Sequence, residues 1–390
     1  MMRRKIVLIL ALSISMMAAA QDFGTYFTDR TLRLDYTFAG NAAHQLIALD
    51  QASVSPRWYG KRARLSELPM EGNGQITVRD HRSRRTLYRN SFSTLFQEWL
   101  TYPEARGEER SFENVFLVPM PRDTVDITVD LRNNRREVIA TYTHMLAPTD
   151  ILIRHTGTHP TPYTTLAQAK DTARCIHIAF VAEGYRKEEM GTFVRDARTA
   201  MEAIFAHEPF KSRRGQFNII AVKSPSADSG TSIPSKGIWK RTALSSHFDT
   251  FYSERYLTTL HLKALHDWLA GTPYEHIIVL VNTPHYGGGG ILNSYNLAMA
   301  HHPQFRPVVV HEFGHSFAGL GDEYAYDFEQ LPMYPHDIDP WEANLTTKVD
   351  FHHKWENLIG HDPKAGFYEG AGYSLKGVYR AYPDCRMRTN

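Results

Sequence analysis

The stretch Val308-Val309-Val310-His311-Glu312-Phe313-Gly314-His315-Ser316-Phe317 leaves this chain the least freedom. It reads H-E-x-x-H, entered from an apolar run, and the spacing suits a helix. On a helix, positions i and i+4 stand one above the other on the same face. His311 and His315 then present two imidazoles to one metal ion, and Glu312 stands beside them to move a proton. Zinc hydrolases use that arrangement. A chain with 20 His in 390 residues can meet the pattern by accident, so the rest of the sequence has to decide.

Met1-Met2-Arg3-Arg4-Lys5 is basic, Ile6 to Met17 is almost wholly apolar, and Ala18-Ala19-Ala20 closes the run. These are the parts of a secretory signal peptide, so residues 1–20 are expected to be cleaved near Ala20. The mature chain would then be secreted, periplasmic or at the cell surface. The apolar run is too short to favour a membrane span, and no cysteine marks a lipid anchor. Residues 1–20 hold three of the 44 basic residues, which leaves 41 against 42 acidic and moves the formal charge from +2 to −1. A near-neutral chain has no bulk electrostatic reason to bind nucleic acid or an anionic membrane. The cluster Arg79, Arg82, Arg84 and Arg85 reads as a solvated strand face or turn. Cys175 and Cys385 are the only two cysteines. They are too few for a disulfide scaffold, lack metal spacing, and are free either to pair or to remain thiols.

The mature length suits two domains. Thr31 to Phe38 and Thr124 to Leu131 alternate polar and apolar residues, the period of half-buried strands. Asn133-Asn134 is a turn signal before a returning strand, Glu137 to Tyr142, and Gly72-Asn73-Gly74 precedes a further strand, Gln75 to Val78. The expectation is an all-β, sandwich-like N-terminal domain over residues 21–160, serving as a binding module or a spacer. Thr- and Pro-rich sequence without periodicity follows, and residues 161–172 are read as a linker. From 173 to 390 strands and helices alternate. Strands are expected at Cys175 to Ala182, Phe217 to Val222 and Tyr274 to Asn282, with helices at Glu188 to Phe205 and Arg255 to Leu269. This is the pattern of an α/β domain with a largely parallel sheet. Gly287, Gly288, Gly289 and Gly290 permit close backbone approach. No Lys-Ser/Thr follows at phosphate-loop spacing, so they read as a sheet-edge strand on which an extended peptide can lay its backbone.

A catalytic zinc takes a third protein ligand and keeps one position for water. Past the helix the chain runs Ala318-Gly319-Leu320-Gly321-Asp322-Glu323-Tyr324. Gly319 or Gly321 can end the helix in the left-handed conformation and turn Asp322 or Glu323 back to the metal, with Asp322 favoured. A ligand so close behind the second histidine follows metzincin spacing, with a carboxylate where the third histidine usually stands. Glu312 would be the general base. Metzincins also carry a methionine in a turn beneath the metal, and Met387 is the candidate. Tyr324, Tyr379 and Tyr382 are candidate donors to an oxyanion.

Five blocks carry a family resemblance. They are Ala182-Glu183-Gly184-Tyr185, Leu280-Val281-Asn282, Tyr286 to Gly290, His311 to Tyr324, and Asp384-Cys385-Arg386-Met387-Arg388. In this order, across residues 175–390, they resemble the IgA-peptidase family of secreted bacterial metallopeptidases, in the metzincin clan. The resemblance implies a metzincin-like zinc metallopeptidase domain behind a β-rich N-terminal domain. It implies Zn2+ as cofactor, His311, His315 and Asp322 as ligands, Glu312 as general base and Met387 in the Met-turn. It also implies a C-terminal helix after that turn, whereas three residues follow Met387. The function so read is a secreted zinc endopeptidase acting on protein or peptide, host or immunoglobulin-like glycoproteins among the substrates. The alternatives are a non-enzymatic surface glycan- or protein-binding protein and a zinc hydrolase of peptidoglycan peptides. Intact His311, Glu312 and His315 argue against the first. No residue specifies an oligomeric state.

Overall fold

The computed structural model describes residues 23–172, 174–327 and 333–389. The signal peptide expected at 1–20 lies outside the described residues. A helical turn at Phe23–Tyr26 leads into β1 (Phe27–Gly40), β2 (Gln45–Pro56), β3 (Gly74–Asp80) and β4 (Thr86–Phe92). A short helix α1 (Leu95–Trp99) follows, then β5 (Arg110–Pro121), β6 (Val125–Arg132), β7 (Val138–Leu146) and β8 (Arg154–His155). They form two four-stranded sheets, ordered β5-β1-β2-β8 and β4-β3-β6-β7. All pairings are antiparallel except the short parallel pair β2–β8. Alternation explains the packing: Leu32, Leu34, Tyr36 and Phe38 of β1 and Ile127 and Val129 of β6 are fully buried in one core. Phe92 of one sheet meets Phe116 of the other with ring centroids 4.2 Å apart. The N-terminal domain is therefore mostly β.

The opposite face of β1 is buried too. Arg33 Nε lies 2.6 Å from Asp35 Oδ1, and Arg33 Nη1 lies 2.6 Å from Asp267 Oδ1 of the second domain. Arg33 Nη2 also donates to the Lys263 carbonyl at 3.0 Å. The alternation in β1 predicted one buried face; the polar face is buried as well, at the interface between domains.

The second domain starts inside the expected linker. Tyr163–Ala167 forms β9, paired antiparallel with β11 (Phe217–Val222). Its Tyr-Thr-Thr-Leu-Ala sequence is β-prone, and the lack of clear alternation hid it, since it is an edge strand and only partly buried. β10 (Ile176–Glu183), α2 (Met190–Phe205), β11, α3 (Leu262–Leu269), β12 (His276–Val281), β13 (Gly288–Ile291), β14 (Tyr295–Met299) and α4 (Phe305–Ala318) follow. The six-stranded sheet has the order β13-β14-β12-β10-β11-β9. Its four central strands are parallel and both edges antiparallel. Ile178, Phe180 and Ala182 pack towards α2 and α4, while Ala179 and Val181 join the N-terminal core. Burial on both faces accounts for the continuous apolar runs in these strands.

The helix expected over Arg255 to Leu269 is only Leu262–Leu269. Residues 255–258 are held in extended pairings: Thr258 exchanges backbone hydrogen bonds with His247, and Arg255 and Leu257 bond to Gly288. Thr259 gives its hydroxyl to the Leu244 carbonyl. After α4 a small three-stranded sheet, β15 (Leu345–Thr346), β17 (Ser374–Arg380) and β16 (Tyr368–Ala371), closes over Leu345, Ala371 and Val378. Cys175 and Cys385 are both free thiols.

Candidate metal centre

The helix α4 forms because its apolar residues are held on several sides, with Val308, Val309 and Phe313 all buried. Pro307 falls in the first turn, where no amide is missed. Gly319, at φ 59°, ends the helix in the left-handed conformation. Its amide donates to the His315 carbonyl at 3.0 Å and the Leu320 amide to Gly314 at 3.2 Å. The reversal does two things. It brings the Leu320 carbonyl to His315 Nδ1, at 2.5 Å, and it sends Asp322 back over the helix.

Three atoms then converge. His311 Nε2 and His315 Nε2 are 3.1 Å apart, and Asp322 Oδ1 lies 3.0 Å from the first and 3.2 Å from the second. Both rings are fixed from behind. His311 Nδ1 donates to the Arg386 carbonyl at 2.9 Å, as His315 Nδ1 does to Leu320. That tautomer leaves both Nε2 lone pairs facing Asp322, as metal-ligating histidines require. Asp322 is 8 % exposed, and its Oδ1 is buried without a hydrogen-bond donor. A buried carboxylate oxygen is costly unless a cation or donor meets it. Its Oδ2 accepts from the Tyr373 hydroxyl, which lies 3.3 Å from that of Tyr324.

Electrostatics point the same way. Burial opposes charging His315, yet the Asp322 carboxylate, with Glu312 behind it, outweighs burial and raises the ring to about 9. Burial likewise works on Asp322, but the two imidazoles hold it well below the usual carboxylate range. The space between the three atoms thus draws positive charge. Two imidazole nitrogens and one carboxylate oxygen, buried and open to a cleft, fit a zinc ion.

Glu312 is buried beside this trio. It and the two histidines each offer an atom within a common 4.8 Å. Burial raises its carboxyl above the usual range, against the pull of His311 and His315. The glycine run makes room for it. A methyl group at Gly288 would stand 2.5 Å from Glu312 Oε1, and one at Gly290 would stand 2.5 Å from the Glu312 carbonyl oxygen. Gly287 and Gly289 would collide instead with the backbone of residues 255 and 257. The glycines let a helix and a loop close on both faces of one strand. β13 is an edge strand, but part of its edge is taken: Gly288 donates to Arg255 O and accepts from the Leu257 amide. By strand alternation the next outward amide and carbonyl belong to Gly290.

Met387 is 4 % exposed and its sulfur lies 2.7 Å from where a Gly314 side chain would begin, between the two histidines on α4. The Met387 carbonyl accepts from the Glu323 amide at 2.8 Å. Glu323 itself turns away, bonded to Asn344 and to the Cys385 thiol, each at 3.0 Å. Of the three tyrosines singled out in the sequence, only Tyr324 reaches the centre. Tyr379 bonds to Glu369, and Tyr382 to Asp362.

Residues that escaped the sequence reading complete the cleft. Tyr373 stands at the tip of the β16–β17 hairpin, where Gly372 and Tyr373 have φ of 57° and 60°, the two-residue turn that Gly favours. The Gly-Tyr pair was the one available signal. Arg255 lies over the Tyr324 ring, 5.2 Å from its centroid. Glu98 and Thr94 come from the N-terminal domain, and the cavity they share with His311, His315 and Asp322 measures about 240 Å³.

No curated protein matches the chain. A family model described as IgA Peptidase M64 matches residues 164–365, and one described as Peptidase M64 N-terminus matches residues 22–143. The first holds the helix with both histidines and the turn to Asp322, and the second covers nearly all of the two-sheet domain that walls the cleft. The chain belongs to the IgA peptidase M64 family and is, with it, a peptidase.

Proposed function

We propose that the chain is a secreted zinc-dependent endopeptidase. The observation that carries this reading is the convergence of His311 Nε2, His315 Nε2 and Asp322 Oδ1 within 3.2 Å, the last buried and without a donor. These three would hold the ion. Zinc bound there supplies a more acidic water and a positive charge beside the scissile carbonyl.

The chain's own residues supply the rest. Glu312 takes a proton as water adds to the carbonyl carbon and gives it to the leaving amine nitrogen as the C–N bond breaks. Its raised affinity for protons, from burial, suits that exchange. Tyr373 holds Asp322 Oδ2 and so fixes the orientation of the ligand. Met387 packs under Gly314 and braces the helix turn between the histidines. The outward backbone groups of Gly290 can pair with an extended substrate. The signal sequence at 1–20 supports export, and no helix among the described residues is long and apolar enough to cross a membrane.

The test is metal analysis of the mature chain with digestion of a broad peptide library, wild type against Glu312→Gln. Both proteins should carry one zinc, and the variant should lose about 10²–10⁴-fold in rate. Retained hydrolysis would remove Glu312 from the role, and a wild type that binds no metal would overturn the reading.

A further inference from the structure

The cleft that holds the histidines is walled partly by the N-terminal domain. The short helix α1 is pinned there: Thr94 caps it through the Gln97 amide at 3.1 Å, and the Gln97 side chain bonds to the carbonyls of Asn73 and Arg132. Leu95, Phe96 and Trp99 are buried, which leaves Glu98 on the side that lines the cleft. One Glu98 oxygen accepts from the Tyr256 hydroxyl at 2.6 Å. It has no cationic partner among the described ion pairs, although it is close enough to the centre for Asp322 and His315 to act on it.

A second carboxylate lines the same cavity. Glu342 is 6 % exposed; its Oε1 accepts from Tyr334 at 3.0 Å, and its Oε2 has no partner. The cations near it are engaged elsewhere. Lys354 Nζ donates to the carbonyls of Pro340, Glu342 and Leu345 and lies 2.9 Å from Asp339. Arg136 bonds to the Pro340 carbonyl and faces Glu71. Tyr334 stands among the acids: burial, then Glu342, Asp322 and Glu98, hold its hydroxyl protonated. Burial raises both Glu98 and Glu342 to about 7. A cationic group entering the cavity would relieve that burden.

We infer that Glu98 and Glu342 form a specificity subsite that receives the ammonium or guanidinium of a substrate residue flanking the scissile bond, so that the enzyme cuts beside Lys or Arg. The inference rests on the peptidase reading above and names the class of substrate for that site. It also gives the N-terminal domain a part in substrate choice.

N-acetylated peptide libraries, with their free-amine counterparts, test it on the full mature chain. Wild type should prefer Lys or Arg beside the cleaved bond by about tenfold or more in kcat/KM. Glu98→Lys should reverse the preference towards Asp or Glu. Glu98→Gln and Glu342→Gln, which keep the shape of the wall, should each weaken it through KM. Zinc content and thermal melting of every variant confirm an intact fold. If Glu98→Lys does not fold, the two Gln variants carry the test. Cleavage by wild type without a basic preference, or a preference unmoved in the folded Glu98 variants, overturns this inference alone. Cleavage confined to free-amine peptides transfers the subsite to the terminal amine and overturns it too. A wild type that cuts nothing overturns the peptidase reading with it.

Discussion

Asp322 and Glu323 show how much one residue's position decides. In the sequence they are adjacent carboxylates behind the same turn. In the fold Asp322 Oδ1 reaches both Nε2 atoms, while Glu323 is held by Asn344 and Cys385. Asp322→Ala should therefore weaken zinc binding far more than Glu323→Ala, measured as zinc retained against a graded chelator. A supporting residue typically costs about 10–100-fold in metal affinity, and a lost ligand should exceed that. The reverse order would move the ligand to Glu323. The pattern H-E-x-x-H was enough to expect His311, Glu312 and His315 side by side, because that proximity depends only on local helical spacing. Tyr373 and Glu98 were not legible. Each reaches the cleft through tertiary packing, and an isolated Tyr or Glu in sequence reads as an ordinary surface residue.

Strands buried on both faces were the easiest elements to read. Phe217–Val222 was delimited to the residue, since every one of its side chains is buried. Tyr163–Ala167 was taken for linker and residues 255–261 for helix, because an edge strand and a paired loop owe their form to partners far along the chain. The strand β13 lies between these cases. Its glycines were expected to permit close approach, and what approaches is α4. Gly290→Ala places a methyl group 2.5 Å from the Glu312 carbonyl oxygen and 2.9 Å from His315 Cβ. Neither obstacle is a flexible side-chain end, so strand and helix must part. Overpacking of this kind typically costs about 1–3 kcal/mol, and activity should fall with stability because Glu312 moves. A thermal melt and a peptide assay on the same sample check both, and an unchanged melting point would mean that the two elements can slide.

The two domains share one core. Leu34 and Ile127 from the two-sheet domain, Val181 and Val279 from the six-stranded sheet and Leu265 from α3 all belong to it, and Arg33, paired with Asp35 on its own strand, ties β1 to Asp267 across the junction. Composition and length suggested two domains, but not that they would fold as one body. A single unfolding transition is expected, with near-UV and far-UV signals coincident. Arg33→Ala, which leaves Asp35 buried without its partner, should lower stability by about 3–5 kcal/mol. Two resolved transitions in wild type would refute the shared core. The ring of His311 is held by a carbonyl 75 positions later, that of Arg386. A chain emerging from the ribosome will therefore have made both histidines, Glu312 and Asp322 long before the first ring is fixed. The centre assembles only as residue 386 and the methionine beside it fold back beneath α4. Clipping that late segment would switch off a mature molecule by the same route, without touching any residue that meets the substrate.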